Sequence, residues 1–336
     1  MFRTMSPLAV RVVLPLALAF GALACTTAPA PHEAKAAVPL VDHHQHFFSP
    51  ATEALLAGPS GGPKAILAPE IVSLLDAAGI EKALVLSVAY MYGSPNRQVD
   101  DEYAKVRAEN DWTAAQAARY PERLRAFCGV NPLRDYALQE LARCAASPGL
   151  QHGVKLHFGN SDIQVGDPVH LEKMRAFFKA ANGHGMAIAM HMRASISKKR
   201  PYGAAQAKIF LEELLPLAPD VVVQVAHMAG AGPGYEDPPA QEAMGYLAEV
   251  MANGDARTRR LYFDIASNAD RAMSPASAAL LVRHIRQVGV GHILYGTDAA
   301  TGDNLRPKES WAAVRKLPLT NEEFDTIARN VAPYML

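Results

Sequence analysis

Five side chains set the chemistry this sequence can do: His44, His46, His191, His227 and Asp298. His44 and His46 stand two apart in Asp42-His43-His44-Gln45-His46, at the end of an apolar run that begins at Val38. Alternate side chains of a strand share a face, so both imidazoles point to one place while His43 and Gln45 face elsewhere. His191 closes the run Met186 to Met190, His227 follows Val221 to Ala226, and Thr297-Asp298 follows Gly291 to Gly296. His44, His46 and His191 with the Asp298 carboxylate make a nitrogen-rich ligand set for one divalent ion, zinc first, with manganese, iron or cobalt as alternatives. A bound zinc ion can lower the pKa of its water to about 7. His227, one strand from the metal, suits a general acid or base, and Asp298 doubles as a proton acceptor.

Around that set stand residues suited to a substrate. Arg193, two residues beyond His191, can clamp a carboxylate with two parallel hydrogen bonds, although a loop ion pair would use it equally well. Lys155, Tyr90 and Asn268 lie in or just past other apolar runs and are candidates for lining the pocket. Each position also has a plainer reading: Asp298 capping a helix, and His191 or His227 as a hydrogen-bonded core histidine. Their joint placement at strand ends favours the functional one. Asp42 is expected to hydrogen-bond its neighbours and orient the histidine loop rather than bind metal. His43, His157 and His184 are read as structural, and His32, His152, His170, His284 and His292 as solvated or packing residues.

These residues must be positioned by the elements between them. Eight short apolar runs, rich in Val, Ile, Leu, Phe and Ala, begin near Val38, Ala83, Leu124, Gly153, Met186, Val221, Leu261 and Gly291. They lack strict alternation, as strands buried on both faces do. Helical stretches separate them: Pro69 to Ala78, Glu102 to Arg119, Tyr136 to Ala145, Leu171 to Gly183, Ala204 to Leu215, Ala240 to Asn253 and Pro275 to Val288, with a last one at Asn321 to Asn330. The alternation predicts an α/β fold, a single-domain (β/α)8 TIM-type barrel over residues 38–336. A doubly wound open sheet is the rival, but the first strand runs into His-His-Gln-His rather than a glycine-rich phosphate loop.

Val-Asp42-His43-His44-Gln45-His46, Gly153-Val-Lys-Leu-His157, Ala187-Ile-Ala-Met-His191, Val-Ala-His227-Met-Ala-Gly230 and Leu-Tyr-Gly-Thr-Asp298 resemble, in order and spacing, the amidohydrolase-related (amidohydrolase 2) family of metal-dependent hydrolases. The resemblance runs from about Val38 to the end and includes Leu319-Thr-Asn-Glu-Glu-Phe324 with Ile327 and Asn330. It implies a mononuclear site with His44, His46, His191 and Asp298 near the metal and His227 as a catalytic partner. It also implies a range of reactions: hydrolysis of amides or lactones, hydration of double bonds, and removal of carboxylate from aromatic and related acids. In binuclear relatives a carboxylated lysine at the end of strand four bridges two metals. Lys155 followed by His157 resembles the mononuclear branch instead.

The chain has 336 residues, half of them apolar, and Lys+Arg balance Asp+Glu at 33 each. That balance gives no pull toward nucleic acid or an anionic membrane, so the expected partner is a small-molecule substrate. Residues 1–25 read as a signal peptide: Arg3 and Arg11, an apolar stretch from Val12 to Ala24, then Ala22-Leu23-Ala24-Cys25. Small residues before a cysteine resemble a lipobox, with Leu23 one place closer to Cys25 than usual. Lipidation at Cys25 would anchor an exported, periplasmic protein through the tether 26–37; simple cleavage nearby is the alternative. Cys128 and Cys144 then remain, and buried free thiols are expected over a bridge.

The function expected first is hydrolysis of an amide, ester or lactone by metal-activated water. Non-oxidative decarboxylation of a small unsaturated or aromatic acid shares the same ligands and is the alternative. An envelope binding protein that has lost catalysis comes third, and no expected ligand is replaced here.

Overall fold

The computed structural model describes residues 1–2, 37–57, 62, 64–299 and 304–336. Cys25 and nearly all of the leader and tether lie outside those residues. Among the described residues no helix is long and apolar enough to cross a membrane.

Eight strands, β1 (Val41–Gln45), β2 (Lys82–Leu86), β3 (Leu124–Gly129), β4 (Gly153–His157), β5 (Ala187–His191), β6 (Val223–Val225), β7 (Leu261–Asp264) and β8 (Ile293–Leu294), form one sheet in sequence order. Every neighbouring pair is parallel. His43 N–H donates to Tyr295 O at 2.8 Å and Asp298 N–H to His44 O at 2.7 Å, which brings the end of β8 back onto β1. This is the (β/α)8 barrel that the alternation predicts.

Helices α1 (Pro50–Leu56), α2 (Ala68–Ala78), α3 (Glu102–Ala117), α4 (Ala137–Ala145), the single turn α5 (Phe158–Ser161), α6 (Pro168–Gly183), α7 (Ala204–Ile209), α8 (Pro238–Ala252), α9 (Pro275–Val288), α10 (Pro307–Val314) and α11 (Asn321–Arg329) alternate with the strands. Local chemistry starts them where the sequence allows. Proline occupies the first turn of α6, α8 and α9, and the Asp167 and Ser274 side chains accept from the free N–H groups of α6 and α9. Two apolar layers result. Leu84, Leu86, Phe127, Ala187, Ala189, Val222 and Leu294 fill the barrel, while Ala83, Val85, Ala126, Val154 and Leu156 pack outward against helices.

The chain's last residues, after α11, return to the barrel interior: Ala332, Tyr334 and Met335 join the inner cluster, with the Tyr334 ring edge-on to Phe127 at 5.0 Å. They fill the floor, at the amino ends of the strands. The structure differs from the sequence reading at several elements. β6 and β8 are shorter than predicted, and α1, α5 and α10 were not predicted at all. Cys128 of β3 and Cys144 of α4 are joined as a disulfide rather than left as thiols. The outward face of β3 meets the inner face of α4, leaving the two Cα atoms 6.2 Å apart, inside the reach of a bridge.

Candidate metal centre

His44 and His46 stand at the mouth end of β1. Strict alternation would turn His43 away from them, but the register with β2 shifts between Asp42 and Gln45. His43 faces the floor instead: Nδ1 donates to Tyr295 O at 3.0 Å, and Nε2 accepts from Ala332 N–H at 3.2 Å. Asp42 behaves as expected, tying β1 to β8. It accepts from His44 N–H, from Gln45 Nε2 at 2.7 Å, and from the Thr297 N–H and hydroxyl, the last at 2.6 Å.

The proton positions of the imidazoles follow from their partners. Asp264 Oδ2 lies 3.0 Å from His44 Nδ1, and a carboxylate can only accept, so Nδ1 carries the proton and Nε2 keeps a lone pair. His46 Nδ1 donates to Leu86 O at 2.6 Å, and His227 Nδ1 to Ala266 O at 2.8 Å. The free nitrogens then converge. His46 Nε2 is 3.4 Å from Asp298 Oδ1, His227 Nε2 is 4.0 Å from Asp298 Oδ2, and donor atoms of His44, His227 and Asp298 lie within 4.8 Å of one another. His191 adjoins them, its ring 5.2 Å from that of His227 and stacked on His157 at 4.0 Å.

Burial sets the charge state. It pulls His44 down to about 4 and His46 to about 3, with Lys155 adding to both. Burial first, then neighbouring cations, also holds His157 and His191 well below the ordinary imidazole value. Asp264 goes the other way. Burial pushes its carboxyl up, but His44, His227 and their hydrogen bonds outweigh this and keep it below the usual carboxylate range. The donor chemistry therefore fits a divalent cation: imidazoles around a carboxylate, with those of His44, His46 and His227 each turned by an acceptor on the far nitrogen. Lys155, pulled down to about 8 by burial, places Nζ 3.3 Å from His44 Nε2.

Backbone geometry is unusual here. His227, Met228, Ala229, Ser267 and Asp298 all have positive φ between 49° and 63° without being glycine, a conformation that persists only where surroundings enforce it. At Gly296 an added Cβ would lie 2.8 Å from His44 Cβ, so the segment after β8 can pass this close only without a side chain.

The substrate candidates divide. Tyr90 stands beside the cluster, its ring 5.1 Å from that of His157. Arg193 is engaged by Asp237, with Nε donating at 2.6 Å and Nη2 at 3.3 Å, and its guanidinium lies over the Tyr202 ring at 4.8 Å. Asn268 Nδ2 donates to His227 O at 3.1 Å and so shapes the His227 turn. Sequence reasoning missed Asp264 and Gln224. Their signal was a polar residue inside an apolar strand, in Leu-Tyr-Phe-Asp264 and Val-Val-Val-Gln224, where burial demands a partner.

A parallel barrel whose mouth gathers imidazoles around a carboxylate defines a class of metal-assisted enzymes. The Amidohydrolase family profile matches residues 41–331, and the chain belongs to that family. No curated protein matches it in sequence. Solved structures share its fold. A dihydroxybenzoic acid decarboxylase from Polaromonas with bound manganese and the inhibitor 2-nitroresorcinol is 16% identical, with TM-score 0.61, covering 89% of this chain and 97% of that one. The 5-carboxyvanillate decarboxylase of Sphingomonas paucimobilis is 17% identical, with TM-score 0.60 and coverage of 87% and 96%. A probable 2-pyrone-4,6-dicarboxylic acid hydrolase from Acinetobacter baumannii with citric acid bound is 17% identical, with TM-score 0.54 and coverage of 86% and 95%.

Proposed function

We propose that this protein is a metal-dependent, non-oxidative decarboxylase of a small unsaturated or aromatic carboxylic acid. The observation that carries this is the buried Lys155 cation beside imidazoles that face Asp298: a site able to take an organic anion out of water and to move a proton next to it. The likeness to two decarboxylases, stronger than to the hydrolase, supports the reading over hydrolysis. His44, His46, His191 and Asp298 would hold the ion, with His227 alongside. When bound, it would supply a Lewis-acid grip on the substrate's oxygens.

Lys155 and Tyr90 orient the acid. Asp298, between His46 and His227, relays a proton from water to the carbon that bears the carboxylate. The bond to the carboxylate then breaks, carbon dioxide leaves, and the released electron pair restores the unsaturated system. Zinc was the first expectation; the manganese in the Polaromonas structure makes that ion an equal candidate here. Export, with lipid on Cys25, belongs to the same proposal, and an intact Met1 in the mature protein's mass spectrum would remove it.

The test is a panel of hydroxybenzoic and unsaturated acids with protein loaded with Mn²⁺ or Zn²⁺, reading carbon dioxide release and deuterium uptake from D2O at the vacated carbon. Release by the wild type, lost in Asp298→Asn, is the expected result. Turnover of lactones or amides with no carbon dioxide would instead establish the hydrolytic reading, which the family's name and the hydrolase neighbour favour.

A further inference from the structure

The barrel interior holds a line of polar side chains that joins the chain's last residues to the candidate ligand His44. Tyr334 rises from the floor, and its hydroxyl donates to Gln224 Oε1. Gln224 Nε2 donates to Asp264 Oδ2 at 2.6 Å and to His43 O at 3.2 Å. Asp264 Oδ2 in turn accepts from His44 Nδ1 at 3.0 Å. Gln224 and Asp264 are 1% and 0% exposed, so neither can exchange these partners for bulk water.

We propose that Tyr334 is a positioning residue for the metal centre, acting through Gln224 and Asp264 on the ring of His44. The inference rests on the reading of His44 as a metal ligand. The physical step lies in the Gln224 amide. Its oxygen and nitrogen differ only by rotation about the last side-chain torsion, and that torsion is soft. A phenol can donate to the amide oxygen, which leaves Nε2 pointing at Asp264. Without the hydroxyl, a buried Oε1 loses its donor and the amide is free to turn. Asp264 then loses one of the hydrogen bonds that fix the oxygen facing His44, and the imidazole loses its preferred tautomer and orientation. His43 adds a second tie from the tail to β1, because its Nε2 accepts from Ala332 N–H.

The experiment compares wild type, Tyr334→Phe and Asp264→Asn in two measurements on the full chain. Titration of the chelated, metal-free protein with Mn²⁺ against a chelating dye reads affinity; the expected losses are about 3- to 10-fold for Tyr334→Phe and about 10- to 100-fold for Asp264→Asn. Ring ¹⁵N NMR of the metal-free protein reads the line of hydrogen bonds without any ion. His44 is expected as the Nδ1–H tautomer in wild type and as a mixture in Tyr334→Phe. A Tyr334→Phe protein that melts lower yet keeps wild-type affinity and the wild-type His44 signal overturns the proposal and leaves Tyr334 a packing residue. Failure of the wild type to bind any ion, with the tautomer still responding to Tyr334→Phe, would refute the metal reading of His44 and leave the hydrogen-bonded line in place.

Discussion

Each imidazole that faces Asp298 is turned by an acceptor behind it: Asp264 for His44, Leu86 O for His46 and Ala266 O for His227. Those acceptors fix which nitrogen carries the proton, while burial, with Lys155 adding to it, outweighs their upward pull and keeps His44 and His46 neutral. The consequence is a pH dependence of stability whose sign can be worked out. His43 and His44 are held at about 4 and His46 at about 3, against an ordinary 6.5, so the unfolded chain binds protons that the folded one does not. Stability from these groups is complete above about 6.5 and is lost as the pH falls toward 4. Asp42 opposes them. Burial pushes it up to about 7 from 3.8, so its contribution weakens the fold as pH rises through that range. Three imidazoles outweigh one carboxyl. Calorimetry in chelator is expected to show the melting temperature falling below about pH 6.5, and falling more steeply in Asp42→Asn. A flat profile would mean that these histidines are not buried neutral.

At the scale of elements, the eight strands were legible because each is a short apolar run set between amphipathic stretches, and β4 matches its run from Gly153 to His157. β6 stops early because the chain enters positive φ from His227 to Ala229, a conformation that residue types other than glycine do not announce. α10 was not read from the sequence, though its first turn carries Pro307. The disulfide between β3 and α4 was hidden for another reason: it depends on which face of each element points at the other, and two cysteines alone do not say. Closing a loop of 16 residues, it should contribute about 3 kcal/mol by restricting the unfolded chain. Urea unfolding of Cys128→Ala with Cys144→Ala is expected to show that loss. An unchanged midpoint with and without reductant would contradict the bond.

For the whole molecule, the site is made by convergence. Its residues come from β1, β4, β5, and the segments after β6 and β8, and the family's pattern of strand ends made most of them readable from sequence. The partners behind them were not readable. Asp264, Gln224 and Tyr334 gain meaning only when the barrel closes and its floor is filled by the end of the chain. The proposed activity therefore requires one cation shared by side chains that are distant in sequence. Elemental analysis of chelated and reloaded protein measures this most directly. The expected result is about one Mn²⁺ or Zn²⁺ per wild-type chain and near-complete loss in each of His44→Ala, His46→Ala and His191→Ala, with the folded circular-dichroism spectrum retained. Full metal content in all three variants, or none in the wild type, would contradict it.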